Sequence, residues 1–553
     1  MKIRLYVLIA VLVSALYACS DSPATEPEQE NNPAEQPGGS QDEVSGEEQE
    51  RKVYFTNPVI NSDVPDICIT RVGEDYYMVS TTMYFMPGAP IMHSKDLVSW
   101  KIIGYVFDSL DESEANNLEQ NGDGESDIYA KGQWASSIRY HDGWFYVMFA
   151  TGFGSFNHTY IYKTQDPAGK WQLAQKFDEI LHDSSLFFED DGTPFIITFD
   201  GEIIELDKDL AIKTRNFGRL NMNIEQGVQC EGCQFFKVDG KYYAFFMYRP
   251  GGIRKVLCLK SNSLTGNYSQ RVVLDDSGIA QGGIIDTPDG KWYGYFFQDM
   301  WPLGRCPYLV PCTWNDGWPV MGDENGDVPR EMEVPVNTGN LFPRSEVLVN
   351  DDFDSEKLGL TWQWNHNPDN SLWSLTERPG YMRLKTGRVM ADADDIFHAR
   401  NTLTQRTIGD KCSGWISIDV SNMKDGDRAG LSVFGFYGGL VEVVKENGKY
   451  KLSMSRYNQE IVGGKETNVR EDMDDTVELT QDVVYLKADC DFVSSKAIFY
   501  YSLDGYKWNR IGSETTLIYT LMHFTGYRFG IFNYATQSSG GYVDIDYFEY
   551  KKL

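Results

Sequence analysis

Helical periodicity is missing from this chain: beyond the first two dozen residues no stretch repeats apolar residues at helical spacing for a useful length, which excludes a helical bundle or an α/β fold. Positive charge is scarce. Fifty Lys and Arg stand against 81 Asp and Glu, a formal net charge of −31, and a chain so acidic is a poor nucleic-acid binder because phosphate contacts need Lys and Arg. Past Leu16 no apolar run is long enough to span a bilayer. Cysteine is sparse, nine in 553 residues, in a chain too large to need stapling. Cys230 and Cys233 have the spacing of a redox or zinc half-site, but no second pair shares it and zinc needs four ligands, so packing cysteines are the expectation. Cys306 and Cys312 are a candidate disulfide for an exported compartment. His93, His141 and His182 receive no role.

What is present begins at the N-terminus. Lys2 and Arg4, an apolar stretch from Leu5 to Leu16, and then Leu16-Tyr17-Ala18-Cys19 read as a secretory signal. The cysteine after Ala18 makes it resemble a bacterial lipoprotein signal, with 1–18 removed and Cys19 lipidated. The expected location is therefore outside the cytoplasm, with membrane contact through the lipid alone. Ser20 to Glu50 holds ten Asp or Glu and no Lys or Arg, about a third of the net charge. Such a segment repels itself and has little apolar surface to bury, so 19–52 reads as a disordered acidic tether.

A five-fold repeat follows. Its copies are Pro65-Asp66-Ile67-Cys68-Ile69, Trp134-Ala135-Ser136-Ser137-Ile138, His182-Asp183-Ser184-Ser185-Leu186, Cys230-Glu231-Gly232-Cys233-Gln234 and Ala280-Gln281-Gly282-Gly283-Ile284. Each is followed by a polar turn (Glu74-Asp75, Asp142-Gly143, Asp191-Gly192, Asp239-Gly240, Asp289-Gly290) and an aromatic or apolar run. Asp-Gly between two apolar runs is a hairpin signal, because the tight turn needs residues that tolerate positive φ. Spacing of roughly 50 residues, with room for four strands per unit, predicts a five-bladed β-propeller over 53–342. Asp108 to Asp127 interrupts the first gap and reads as a solvated surface loop. From 348 to 553 short alternating strands with frequent turns predict an antiparallel β-sandwich. The fold class expected is all-β.

In a propeller, equivalent positions of different blades surround one axis, so Asp66, Asp183 and Glu231 should share a central pocket. Three carboxylates without a His or Cys cluster suit glycoside hydrolysis. That reaction needs a protonated acid at the leaving oxygen and a carboxylate across the sugar, and a third carboxylate raises the pKa of the acid.

At these residues the chain resembles glycoside hydrolase family 43. The resemblance is carried by Asn57-Pro58-Val59-Ile60 through Asp66, Ser80-Thr81-Thr82-Met83, Pro87-Gly88-Ala89-Pro90-Ile91, His93-Ser94-Lys95-Asp96-Leu97-Val98-Ser99-Trp100, Gln281-Gly282-Gly283-Ile284-Ile285-Asp286-Thr287-Pro288 and Trp314-Asn315-Asp316-Gly317-Trp318-Pro319-Val320. In the second domain Trp362-Gln363-Trp364-Asn365-His366 and Ala399-Arg400-Asn401-Thr402-Leu403 resemble the sandwich, a concanavalin-like jelly roll, of the β-xylosidase and α-L-arabinofuranosidase branch. The resemblance implies a five-bladed propeller and inversion of configuration. It also implies Asp66 as general base, Asp183 as the residue that orients the acid and raises its pKa, and Glu231 as general acid. Arg305 matches an arginine near the sugar hydroxyls. Trp134, Phe85 and Trp301 are candidate sugar-stacking rings. Ala280 stands where members usually have a histidine near an axial metal or water, which puts an axial calcium in doubt. No cofactor is required by this reading, and a structural calcium is left open and unassigned. The activity expected is exo-acting removal of α-L-arabinofuranosyl groups from plant hemicellulose or its oligosaccharides. A β-D-xylosidase is the alternative, and a surface glycan-binding protein that has lost hydrolysis is a further one.

Overall fold

Each repeat builds one four-stranded antiparallel sheet, and the inner strands of the five sheets neighbour one another in a closed ring. The computed structural model describes residues 52–110, 114–118, 131–152, 157–390, 396–462, 465–472 and 475–553. The signal, Cys19 and nearly all of the tether lie outside the described residues. Among these residues the only helical elements are two 3-10 turns, Glu114–Asn117 and Pro250–Gly252. The inner strands are Cys68–Val72, Gln133–His141, Ser185–Phe188, Cys230–Val238 and Ala280–Asp286, each opening the blade that its copy of the repeat predicts. Asp142-Gly143 and Asp239-Gly240 both turn with two consecutive positive φ values, the backbone a tight hairpin requires. The ring is fastened where Tyr54–Thr56, from before the first blade, pairs with Glu331–Glu333, from after the last.

The second half forms two facing antiparallel sheets, one of nine strands and one of seven. Alternation along Val483–Asp491 places Val484, Leu486, Ala488 and Cys490 in the core between them, as the two-residue period of a strand dictates. The join to the propeller is intimate. Phe85–Met86, from within the first blade's sequence, pairs with Gln363–Asn365 and becomes a strand of the larger sandwich sheet. Leu303 and Cys306 of the fifth blade belong to the sandwich core. Ser62 donates to the Thr407 carbonyl at 2.7 Å, and Arg406 Nε donates to the Asp63 carbonyl at 2.9 Å.

One expectation is corrected here, and a pairing the sequence left open is decided. Residues 114–118 of the insertion are not a solvated loop: Asn116 and Leu118 are buried, and Asn117 accepts hydrogen bonds from Asn367 and Arg400 of the sandwich. The Asn116 carbonyl also accepts from the Asn367 backbone N–H at 3.2 Å. Residues 119–127 lie outside the described residues. Cys306 and Cys312 sit on one strand, Gly304–Asn315, six residues apart. At about 3.3 Å per residue that is roughly 20 Å, several times the reach of a disulfide. Register instead sets Cys412 directly opposite Cys490 across two sandwich strands, and the described cysteines are all free thiols.

Candidate active site

The innermost strands begin irregularly, and that irregularity aims the acids. Asp66 and Asp183, each two residues before its strand, hold positive φ (52° and 45°), as do Gly232 (71°) and Gln281 (58°). The pairing slips between Gln133 and Ser136, between Glu231 and Gln234, and between Ala280 and Gly283. Bulges of this kind turn side chains out of the sheet's alternation. At this end of the axis they surround a small cavity of about 10 Å³, lined by residues of all five blades, among them Asp66, Ala135, Asp183, Gly232 and Gln281, room for about one water. Gly282 must be glycine: a Cβ there would lie 1.8 Å from the Tyr295 carbonyl oxygen.

Asp66 and Asp183 are both buried, while Glu231 is half-buried. Burial pushes the Asp183 carboxyl up to about 6, with His182 pulling the other way and the charges of Asp66 and Glu231 adding to the rise. Asp183 therefore feels both other acids. Asp66 is also raised, by burial, against the opposing pull of Arg305 and Arg254. Gln229 donates to Glu231 Oε1 at 2.7 Å and is itself held by Arg249 at 3.3 Å. The His182 Nε2 lies 3.5 Å from Asp183 Oδ1.

One wall beside the acids is assembled from both halves of the chain. Arg305, almost wholly buried, receives an anchor at its backbone, where its N–H donates to Asp63 Oδ1 at 2.9 Å. Its guanidinium lies 4.0 Å from the centre of the Phe524 ring and 5.7 Å from Trp301. Tyr519 stacks on Trp301 at 3.5 Å, and Trp134 meets Phe524 and His182 edge-on at 5.2 and 5.6 Å. Tyr519 and Phe524 come from the sandwich segment between Asn509–Thr516 and Arg528–Ala535. Asp299 pairs with both Arg254 and Arg305. Arg305 Nη1 and the Tyr519 hydroxyl are buried with no hydrogen-bond partner among the described residues, an arrangement suited to a hydroxyl-bearing ligand.

Of the residues singled out from sequence, Asp66, Asp183, Glu231, Arg305, Trp134 and Trp301 gather at this end of the propeller. Phe85 does not. It is completely buried beneath Arg528, whose guanidinium lies 3.7 Å from its ring, and its strand pairing with the sandwich leaves no face for a sugar. His182, which received no role, is drawn in because it precedes Asp183 in the repeat, the position Trp134 holds in its own copy. Arg254 and Asp299 were also missed, and Tyr519 and Phe524 carry no sequence signal at all.

The residues present do not fit an axial calcium. Below the acids the axis is bridged by the Arg139 guanidinium, which donates to Ser185 Oγ and the Ile138 carbonyl (2.7 Å each) and to the Phe235 carbonyl (3.2 Å). Ala280 is packed in the apolar cluster of Phe245, Met247 and Phe296. Among the described residues no three His, Cys, Asp or Glu side chains stand together as metal ligands.

Comparison with known proteins agrees with this construction. Residues 55–319 match the model of glycosyl hydrolases family 43, and 350–551 match that of the beta xylosidase C-terminal concanavalin A-like domain. A beta-xylosidase of Formosa agariphila is 30% identical, the match covering 99% of this chain and 97% of that one. A non-reducing end alpha-L-arabinofuranosidase of Bacteroides ovatus is 34% identical over 60% of this chain and 65% of its own. A solved structure described as a bifunctional GH43-CE of Bacteroides eggerthii superposes with a TM-score of 0.82 at 44% identity. That match covers 91% of this chain, which spans 64% of the longer protein. With the three acids on equivalent strand starts and both halves of the chain matched, the protein belongs to glycosyl hydrolase family 43 and is a glycoside hydrolase.

Proposed function

We propose that this enzyme removes single terminal pentosyl groups from hemicellulose with inversion of configuration, α-L-arabinofuranosyl groups first among them. The observation that carries this reading is that Asp66 and Asp183 line one small cavity, the charge of Glu231 acts on Asp183, and the sandwich residues Tyr519 and Phe524 stand beside them against Trp301, Trp134 and Arg305. A walled pocket admits a chain end rather than the middle of a polymer. In it Asp66, set at the cavity, takes a proton from the attacking water. Glu231, half-exposed, donates its proton to the leaving oxygen. Asp183, coupled to both, orients the acid. Arg305 Nη1 and the Tyr519 hydroxyl, unpartnered inside the protein, meet sugar hydroxyls.

The α-L-arabinofuranosyl preference is supported by the named activity of the Bacteroides ovatus relative. β-D-Xylosyl release is the second reading, favoured by the names of the Formosa relative and of a putative beta-xylosidase of Xylanibacter ruminicola at 31% identity. Side-by-side hydrolysis of nitrophenyl α-L-arabinofuranoside and β-D-xyloside decides between them, and NMR of the first anomer released tests inversion. Asp66→Asn and Glu231→Gln should each lose about 10²–10⁴-fold in kcat, the weight of general acid–base catalysis. Activity close to wild type in Asp66→Asn would sink the assignment. The nitrophenyl leaving group needs less protonation, so Glu231→Gln is read on an oligosaccharide.

We further propose that the enzyme is exported and held to a membrane by lipid on Cys19. Metabolic labelling with a tritiated fatty acid, abolished by Cys19→Ser, is the expected result.

A further inference from the structure

A second pocket, of about 500 Å³, opens on the sandwich and is lined by none of the three acids. Its size is that of a small-molecule site. Strands Tyr437–Glu446, Lys449–Val462 and Asn509–Thr516 supply its walls, with Tyr437, Arg456, Glu471, Glu514, Thr515 and Ile518 lining it. We propose that it is a second glycan-binding site, which holds a neutral stretch of oligosaccharide chain while a chain end is processed at the acids. The inference goes beyond the reaction, but it rests on the reading that the natural substrate is a polysaccharide.

Three observations carry it. First, the charges lining the pocket are spent within the protein. Arg456 donates to Ser513 Oγ at 2.5 Å, to the Glu514 carbonyl at 2.7 Å and to Glu471 at 3.4 Å, and Glu514 is paired with Lys496. A ligand there needs no net charge. Second, polar capacity is left over. The Thr515 side chain is buried, its Oγ1 has no hydrogen-bond partner, and Arg456 Nε is likewise buried without one. One hydroxyl that can donate or accept and one fixed N–H donor match sugar hydroxyls, which do both. Half-buried Tyr437 adds an aromatic surface of the kind on which a pyranose face packs. Third, the pocket and the catalytic wall share one segment. Ile518 lines the pocket and its neighbour Tyr519 stacks on Trp301, while Tyr457 of the pocket belongs to the same apolar cluster as Phe524. A chain held here lies next to the wall that closes the active site.

The test uses the full enzyme in a Glu231→Gln background, so that the polymer survives, and measures retardation in native gels containing arabinoxylan. Arg456→Met and Thr515→Val, the latter removing little more than a hydroxyl, should each weaken retention by about tenfold, the loss of a second tethering contact. In the active enzyme both substitutions should leave kcat/KM on the nitrophenyl pentoside unchanged. Added xylotetraose should compete for retention, whereas free arabinose and xylose should not. Retention equal to the parent in both variants overturns the proposal, as does loss of nitrophenyl activity in step with retention. Competition by the free monosaccharides reassigns the pocket to released sugar. A wild type that hydrolyses neither nitrophenyl pentoside would defeat the pentosidase reading, and the gel would still report on the pocket.

Discussion

Asp183 is the residue at which stability and activity pull apart. Burial raises its folded pKa to about 6, above the ordinary value of 3.8. The native state therefore holds the proton more tightly than the unfolded chain. The favourable contribution is complete below about pH 4 and is lost as pH climbs through about 6. At about 1.4 kcal/mol per pH unit this amounts to about 3 kcal/mol. Asp183→Asn should accordingly lose activity yet gain denaturation resistance over wild type between pH 4 and 6, the gain then levelling. Urea midpoints at pH 4, 5, 6 and 7 check it, and a pH-independent difference would show that the buried charge costs nothing. The thiols give a second prediction at this scale. Cys258, Cys306 and Cys490 are buried and burial pushes each well up from its usual value. The native enzyme should be inert to a thiol reagent at pH 8 at these positions and react fully once denatured, because thiolate is the nucleophile.

Among elements, the segment between Asn509–Thr516 and Arg528–Ala535 places Tyr519 and Phe524 against Trp301, Trp134 and Arg305. Phe524→Ala removes the ring beneath the Arg305 guanidinium. The expected result is a KM on the nitrophenyl pentoside higher by about tenfold, the equivalent of one lost contact of about 1.4 kcal/mol, with a smaller change in kcat. A fall in kcat alone would mean that the ring positions chemistry rather than substrate. The strand starts work in the opposite direction, fixing what must not move. Gly304, at φ +122°, would place a Cβ 2.1 Å from Asp63 Oδ1, the atom that accepts from the Arg305 backbone. Gly304→Ala should cost roughly 1–3 kcal/mol from overpacking, seen as a lower thermal midpoint together with weakened substrate binding.

On the scale of the whole molecule the propeller and the sandwich are one folding problem. Leu303 and Cys306 sit in the sandwich core, and Asp63, Arg406 and Arg528 are buried where the halves meet. Burial, with Arg406 adding like charge, lowers Arg528 to about 9; what separating the halves would cost is exposure of the apolar core around Leu303 and Cys306 to water. A chain cut after residue 342 should be insoluble or inactive. A soluble fragment with wild-type activity would contradict this account of the interface.

The chain by itself determined a good deal. Repeated phrases with Asp-Gly turns specify strand starts and hairpins, because positive φ and two-residue alternation are local demands. Equivalence between copies then brought Asp66, Asp183 and Glu231 to one end of one axis. The same local logic misled at Phe85, whose motif neighbours said nothing of Arg528 above it, and left open Cys306 and Cys312, whose nearness in sequence is distance along one strand. Tertiary structure alone decided what closes the site. Tyr519 and Phe524 reach it from more than two hundred residues beyond Arg305, and Arg139 takes the axis through bonds to three blades. Contacts across such separations depend on how two finished cores dock, and no short-range pattern of residues encodes that.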